Sequence, residues 1–356
     1  MGVCGNKATK QRRRQAPLSP STTGGDVDLI SGLGDDVLVR ILELLPDERD
    51  AVTTGLLSRR WRDLWTRIPD LRFASKSWPE FRAASDARRF IDLVDYALAR
   101  RAAQTEPAIE SLAISLKLKD VRRVHDAAGR IVPPVVGAAQ GWIRYAGIPA
   151  MILDNLPSSA KLETMRLAIG PAIVHLPSSV VFASLTDLSL ECLVVVDGTA
   201  HLLSRLVSSA CCPRLQKLRM RKIRFSQGDR REEDQDQAEL IKIQANLLLE
   251  LSLKQLRDPF SLDLTTPSLR GLRIEACCCL EDLTISTPNL ERLNLDKDSQ
   301  PVCIYIHDDE LPSVRSLNVE LYSHDVYADD EESNNNTIEL LRCCTSLKYL
   351  EVFLQV

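Results

Sequence analysis

Features that mark enzymes, membrane proteins and nucleic-acid binders are scarce in this chain. Aromatic side chains make up only 5% of 356 residues, so aliphatic side chains must build the core. There is no excess of positive charge. The net charge is −4 and the isoelectric point near 5.9, which leaves no global field favouring nucleic acid or an anionic membrane surface. No apolar run reaches the roughly 18 residues a membrane span needs. The first 25 residues are polar and basic and lack a secretory core. No P-loop, G-x-G-x-x-G or G-x-S-x-G occurs. The histidines, His125, His175, His201, His307 and His324, are scattered without metal-ligand spacing, and His307 beside Asp308 and Asp309 reads as a loop. Ten cysteines include no C-x-x-C pair. Cys277–Cys279 cannot all face one metal from a strand, because alternate side chains point to opposite sides. Without a leader the cysteines read as reduced, half-buried thiols of an intracellular protein in nucleus or cytoplasm. A thiol-dependent ligase would need an activated cysteine, yet Cys192, Cys211, Cys212, Cys343 and Cys344 neighbour repeat leucines. The expectation is a non-catalytic chain with no cofactor, no metal, no nucleic-acid partner and no membrane partner.

What is present is leucine, about 15% of the chain, which points to a leucine-based repeat. The chain divides by pattern into 1–25, 26–74, 75–108 and 109–356. Residues 1–25 are expected to be a disordered basic tail. Lys7, Lys10 and Arg12–Arg14 form a candidate nuclear address. Gly2 and Cys4 form a candidate lipidation pair, although Asn6 stands where Ser or Thr is required. A solvated tail without an address is the plain alternative.

Residues 28–73 hold three short helix patterns. The first is predicted from Asp35, where Asp35 and Asp36 suit a helix N-terminus, and stops at Pro46. Val37, Ile41 and Leu45 fall at i, i+4, i+8, with Leu38 and Leu42 as an adjacent stripe. That face is wider than one small core requires, so it is expected to meet both its own bundle and a partner. An all-internal role for Val37, Ile41 and Leu45 is the alternative. The second helix is predicted over Asp50 to Leu57. The third is capped by Ser58, with Trp61, Leu64, Trp65 and Ile68 on one face, and ends at Pro69. Trp61 and Trp65 fit simple bundle packing as well. A helix-turn-helix reading would use Arg59, Arg60, Arg62 and Arg67 on phosphates. The acidic net charge, the acids of the first helix and the lack of a dimerisation element argue against it.

These residues resemble an F-box. The order Leu33, Asp35–Asp36, Val37–Leu38, Ile41–Leu42, Leu45–Pro46, then Ser58 with Trp61, follows the family pattern. Gly34 departs from it, standing where proline is usual, which predicts looser preorganisation and somewhat weaker docking. The resemblance implies binding to the Skp-type adaptor of an SCF ubiquitin ligase, and through it to a cullin scaffold. The matching residues are Leu33, Val37, Leu38, Ile41, Leu42, Leu45, Pro46 and Trp61.

Downstream, Phe90, Leu93, Val94, Ala97 and Leu98 are spaced for one helical face, and a short helix is predicted around Trp142–Tyr145. An apolar-x-x-apolar-x-apolar phrase then recurs. It starts at Ile109, Leu162, Leu185, Leu215, Leu248, Leu269, Leu280, Leu290, Val314 and Leu347. Successive starts from Leu162 differ by 23, 30, 33, 21, 11, 10, 24 and 33 residues. The 11 and 10 sum to one repeat, so Leu280–Ile285 is expected to be a half-repeat strand. Each phrase is a strand that cannot bury its apolar side alone. Proline two residues ahead, at Pro213, Pro267, Pro288 and Pro312, closes the preceding loop. The polar stretches 226–239 and 323–337 are expected to be mobile inserts.

This half resembles the irregular leucine-rich repeats that follow F-boxes in plant proteins, carried by TPSLRGLRIEACCCLEDLTISTPNLERLNL. The resemblance implies an α/β chain (α+β overall): a three-helix F-box followed by a leucine-rich-repeat horseshoe. By this resemblance, many members of the family carry a further C-terminal strand-and-helix segment. The chain stops just after Val352, within an expected strand, so a shortened, uncapped form is expected.

Residues between the apolar ones should face the open, concave side. Those expected to meet a target are Lys217, Arg219, Arg221, Lys254, Arg273, Glu275, Arg292 and Asn294. Their sign alternates along the arc, which suits a protein or peptide rather than nucleic acid. Lys217–Arg219–Arg221 reads as a basic cluster able to take a phosphate or acidic segment, or as an ordinary solvated face. The resulting reading is a non-catalytic substrate receptor of an SCF-type ligase for an unknown target protein. A repeat scaffold without ligase function is the alternative.

Overall fold

A computed structural model describes residues 29–30, 32–74, 84–102, 108–117, 151–152, 161–175, 181–196, 200–226, 238–296, 303–307, 311–322 and 328–355. The tail 1–25, the predicted helix at Trp142–Tyr145 and most of the 226–239 insert lie outside them. The chain is a mixed α/β protein.

The N-terminal part begins with α1 (Asp35–Glu43), whose first turn holds Asp35 and Asp36. Helix α2 (Glu48–Thr54) is capped by Asp47, whose side chain accepts a hydrogen bond from the Arg49 amide at 3.1 Å. It ends three residues short of the expected Leu57. Gly55 explains why: a Cβ there would lie 3.1 Å from the Val52 carbonyl oxygen and 3.2 Å from the Arg62 Cα. The chain turns tightly at this point, and a side chain here would have to push its neighbours by a few tenths of an ångström. The third predicted helix is a 3-10 helix, Trp61–Arg67, with no side-chain cap, so Ser58 does not play the expected role. These seven residues wind with about three residues per turn rather than about 3.6. Leu64, Trp65 and Ile68 are still buried, as their spacing predicts, and Trp61 is half-buried.

From Pro69 onward the chain builds parallel sheet. In order come β1 (Asp70–Ala74), α3 (Ala84–Ala102), β2 (Ser111–Lys117), β3 (Met151–Ile152), β4 (Thr164–His175), β5 (Asp187–Val196), α4 (Ala200–Leu206), β6 (Lys217–Arg221) and β7 (Arg224–Ser226). There follow β8 (Glu239–Ile243), β9 (Glu250–Lys254), β10 (Phe260–Thr265), β11 (Gly271–Glu275), β12 (Leu280–Ser286), β13 (Arg292–Leu295), β14 (Cys303–Ile306), β15 (Ser316–Tyr322), α5 (Ala328–Cys343) and β16 (Tyr349–Gln355). One sheet runs β1-β2-β4-β5-β6-β9-β11-β13-β15-β16, with β3 on β4 and β7 on β5. A second runs β14-β12-β10-β8. Every pairing between these strands is parallel.

The leucine phrase fixes this arrangement. Strands β2, β4, β5, β6, β9, β11, β13, β15 and β16 each start two residues into a phrase. One residue ahead of each strand, an amide donates to the carbonyl of the matching residue in the preceding unit. The series runs Glu110 to Pro69, Glu163 to Glu110, Thr186 to Glu163, Gln216 to Thr186 and Leu249 to Gln216. It continues with Arg270 to Leu249, Glu291 to Arg270, Arg315 to Glu291 and Lys348 to Arg315, all at 2.8–2.9 Å. Strand β12 breaks the rule. It starts at the first phrase residue, Leu280, and lies in the second sheet, consistent with the half-repeat spacing.

After β6, β9 and β11, and within β5, the backbone turns at a residue with left-handed geometry. These are Cys192, Lys222, Gln255 and Ala276, with φ of 61°, 54°, 57° and 53°. The next side chain in each case, Leu193, Ile223, Leu256 or Cys277, is buried. In the middle of the molecule, strands then cross to the second sheet and return. Helix α4 packs on β8 at one end of that sheet, and α5 on β14 and β15 at the other. Helix α5 covers part of the expected mobile stretch 323–337. Its sequence is polar at the start. Thr337 and Leu340 are buried and Leu341 half-buried towards its end. Helix α3 buries Phe90, Val94, Ala97 and Leu98 as spaced, and joins one continuous core running from Leu38 to Cys344.

None of the four corner residues is glycine, so each carries the steric cost of a left-handed L-residue. Ala276→Gly is expected to stabilise the chain by about 0.5–1 kcal/mol, read as a rise in the denaturation midpoint. No change in the midpoint would show that the corner is relaxed.

Candidate binding surfaces

Two surfaces stand out. The first is on the N-terminal bundle. Val37 and Ile41 are 49% and 42% exposed, whereas Leu38 and Leu42 are buried at 0% and 2%. Leu38 and Leu42 are therefore core residues, and only their neighbours on α1 offer a free face. Leu33, Leu45 and Trp61 are half-buried against the core, and Pro46 is exposed. Because α1 stops at Glu43, Leu44 caps it and turns outward, 76% exposed, while Leu45 turns in. The open stripe is Val37, Ile41, Leu44, spaced i, i+4, i+7. Leu56 and Leu57 follow α2 and are exposed at 88% and 72%. Sequence reasoning missed Leu44, Leu56 and Leu57. Regular i, i+4, i+8 spacing favoured Leu45 over Leu44, and extending α2 to Leu57 concealed the other two.

Exposed ion pairs link the elements of this bundle. Arg60 donates to Asp35 at 2.8 Å and to the Leu33 carbonyl, and Arg67 donates to Asp36 at 2.7 Å. Two of the four arginines of the helix-turn-helix reading are thus tied to the acids of α1. Arg100 of α3 reaches Asp63 in the same way.

Where the bundle meets the sheet lies a buried polar joint. Asp47 holds Arg49 at 2.5 Å. Glu48 accepts a hydrogen bond from the Arg72 amide of β1 at 3.1 Å, and Arg101 of α3 donates to the Ile68 carbonyl at 3.0 Å. Burial pushes the Glu48 carboxyl up to about 7, against the Arg72 amide and the Arg72 and Arg101 charges. The same burial lowers the Arg101 guanidinium, opposed by Glu48.

The second surface is a groove of about 900 Å³ on the open face of the large sheet, across β6, β9, β11, β13, β15 and β16. Of the residues expected to meet a target, Lys217, Arg219, Arg273, Arg292 and Asn294 line it. Arg221, Lys254 and Glu275 stand one step further along their strands, outside the lining. The expected basic cluster is partly neutralised: Arg219 pairs with Asp187 at 3.0 Å and Arg221 with Glu191 at 3.5 Å, both from β5. Lys254 and Arg273 share Glu275 at 2.6 and 3.3 Å. Arg292 reaches Glu250 at 3.4 Å, across the strand between them. That strand carries Gly271 opposite both, and a Cβ there would lie 3.3 Å from an Arg292 guanidinium nitrogen. Missing from the sequence reading were Gly271 and the last strand's Tyr349 and Glu351, with Lys348 just before it. The Leu347 phrase was the available signal.

Among the described residues no group of three or more His, Cys, Asp or Glu is placed to hold a metal, and no helix is long and apolar enough to cross a membrane. Burial pushes the Cys212 thiol up to about 12 and the Cys277 and Cys344 thiols up to about 11. These three are poor nucleophiles.

The fold and surfaces define a leucine-phrase repeat protein with a short helical bundle at its N-terminal end. No family model matches the chain. Among curated proteins, it is 30% identical over 203 residues to a putative FBD-associated F-box protein of Arabidopsis thaliana, covering 54% of this chain and 43% of that one. A second putative FBD-associated F-box protein of that plant is 30% identical over 276 residues, with 76% and 55% covered. A putative F-box/FBD/LRR-repeat protein is 28% identical over 275 residues, with 69% and 55% covered. The chain spans about half the length of these curated relatives. Relatives of this kind, aligned over most of the chain, identify it as a relative of the plant F-box and leucine-rich-repeat proteins.

Gly34, the departure from the F-box pattern, has φ −67° and ψ 155°, and no atom lies within 4 Å of a Cβ built on it. This is the backbone proline prefers. Gly34→Pro is expected to raise stability by about 0.4–1 kcal/mol by restricting the unfolded chain, measured by urea unfolding; destabilisation would mean the preceding residue cannot adapt. Glu48 yields a pH prediction. Its ordinary value is 4.5 and its folded value about 7. Between these the folded chain keeps a proton that the unfolded chain has released, so stability falls as pH rises through that window. Glu48→Gln should flatten this slope in thermal melts across the window. A slope equal to that of the parent would place its origin elsewhere.

Proposed function

We propose that the chain is the non-catalytic substrate-recognition subunit of an SCF-type ubiquitin ligase, working in the nucleus or cytoplasm. In this reading the N-terminal bundle is a three-helix F-box that holds a Skp-type adaptor and, through it, a cullin scaffold. The parallel repeats form a leucine-rich-repeat solenoid that holds a target protein for ubiquitination and degradation. The observation that carries the proposal is the open apolar set Val37, Ile41, Leu44, Leu56 and Leu57. The repeats bury nearly all their phrase leucines, whereas Leu44, Leu56 and Leu57 lie mostly in solvent and Val37 and Ile41 keep nearly half of their surface there. Burying one such side chain fully contributes about 1.5–3 kcal/mol, which is a strong reason for a partner. The F-box names of the relatives support the same partner. Catalysis then rests with other subunits, and this chain supplies proximity: tethering raises the effective concentration of target near the charged ubiquitin carrier.

Co-expression with a Skp-type adaptor tests this. The intact chain should co-purify with it. Ile41→Asp with Leu44→Asp should remove at least nine-tenths of the complex while leaving the thermal midpoint nearly unchanged, because both sites are exposed. Leu38→Asp should instead unfold the bundle, since it buries a charge in the core. A folded chain that captures no adaptor would leave the repeats as a binding scaffold without ligase function.

A further inference from the structure

The groove on the large sheet has a sign. Its lining carries five cations, Lys217, Arg219, Arg273, Arg292 and Lys348. It carries two acids, Glu250 and Glu351. The chain as a whole is net negative at −4, so the groove concentrates positive charge against the overall sign. The acids that steady these cations cancel them only in part, the firmest being Asp187, which accepts from Arg219 at 3.0 and 3.1 Å. Glu275 is shared between Lys254 and Arg273, and Glu250 holds Arg292 only by an end-on contact at 3.4 Å. Among the described residues Lys217 and Lys348 take part in no ion pair. The paired cations of the lining keep about half of their side chains in solvent, 46% for Arg219, 60% for Arg273 and 57% for Arg292. Ion pairs this exposed contribute little and exchange readily.

We propose that the groove's occupant is an extended acidic segment of a partner protein, with carboxylates about three residues apart, bound across the strands. This deepens the target-receptor reading above and rests on it. Arg219 and Arg273 stand on the same row, two strands apart. At the usual strand spacing that is roughly 10 Å, close to the span of three extended residues. Gly271 is the device that opens the middle. With no side chain between β9 and β13, the Arg292 guanidinium lies over the bare backbone beside Arg273. Two forked donors there can each take a carboxylate bidentately. Tyr349, 72% exposed, supplies an aromatic wall at the far end. Binding exchanges the weak internal pairs for pairs with the segment, so occupancy follows partner charge and ionic strength.

The test is fluorescence anisotropy of the full chain with a fluorescein-labelled peptide bearing aspartate at every third position in a Gly/Ser background. Matched asparagine and lysine peptides serve as comparisons. The acidic peptide should bind at least tenfold more tightly than either, and weaken several-fold as salt rises from about 50 to about 500 mM, as screening requires. Arg273→Glu with Arg292→Glu should cost at least tenfold. Arg214→Glu with Arg257→Glu, the same charge change outside the groove, should leave binding within about twofold apart from the general field. If the groove pair fails to fold, Gly271→Val displaces the Arg292 guanidinium without changing charge and should cost several-fold. Equal affinity for the three peptides, or undiminished binding after reversal of Arg273 and Arg292, overturns the proposal. The ligase reading stands or falls separately. A chain that captures the adaptor but shows no charge preference loses only the acidic occupant, and one that binds the acidic peptide but no adaptor loses only the ligase role.

Discussion

The hydrogen bond placed one residue ahead of each phrase strand of the large sheet is the constraint on which the rest of the molecule depends. It links Pro69 to Glu110 and continues unit by unit to Lys348. A leucine phrase has one apolar side and cannot bury it alone, so each unit requires its neighbour on both sides. The bond sets the register between units, and register decides which side chains face inward. Once it is fixed, the first, fourth and sixth positions of the phrases from Ile109 to Val314 fall into one shared core, while in the last phrase Leu350 stays half exposed. The intervening positions fall in rows on the open face. That face is therefore released from structural duty. It can carry arginine beside aspartate, or a glycine under a guanidinium, at little cost to the fold.

The same logic explains what the sequence discloses and what it conceals. Phrase periodicity is a backbone-level signal, so the strands at Leu215, Leu248, Leu269 and Leu290 can be located from it, each starting two residues into its phrase. The half-repeat at Leu280 is legible too, because its spacing cannot fit a full unit. Strand β1 has no phrase and was not visible; it joins the sheet because Pro69 presents its carbonyl to Glu110. The helix over Ala328–Cys343 was hidden because its first half is polar and its apolar contacts come late. The 3-10 winding of Trp61–Arg67 was hidden because its apolar spacing also suits an α-helix. Ion pairing on the open face was hidden for another reason. Arg219 and Asp187 are 32 residues apart and meet only because their strands are neighbours.

In the bundle, a shift of one residue separated core from surface. Leu44 and Leu45 are adjacent, and which of them faces outward is decided by where α1 ends. That end is set by Pro46 and by Asp47, which caps the next helix. Helical periodicity alone cannot supply this, because it assumes that the helix continues. Glu48 shows the complementary case. A carboxyl at 5% exposure beside two arginines gives no hint in the sequence, where it reads as an ordinary first-turn acid. Its burial follows from α2 resting against β1, with the Arg72 amide as its hydrogen-bond donor.

The joint and the ladder together bear on how the two surfaces work as a pair. Arg101 reaches from α3 to the Ile68 carbonyl, and Glu48 reaches from α2 to the Arg72 amide. Bundle and sheet are thus tied through three elements as well as through the chain itself, and they share one continuous core. For a receptor this matters because tethering gains most when the held groups have a narrow range of positions. A flexible join would spread a target over a large volume and dilute the effect. A buried carboxyl that is costly to ionise is a poor choice for stability. Its hydrogen bond, from the Arg72 amide, fixes where α2 meets β1. In the ligase reading, the polar joint trades some stability for a fixed angle between adaptor and target.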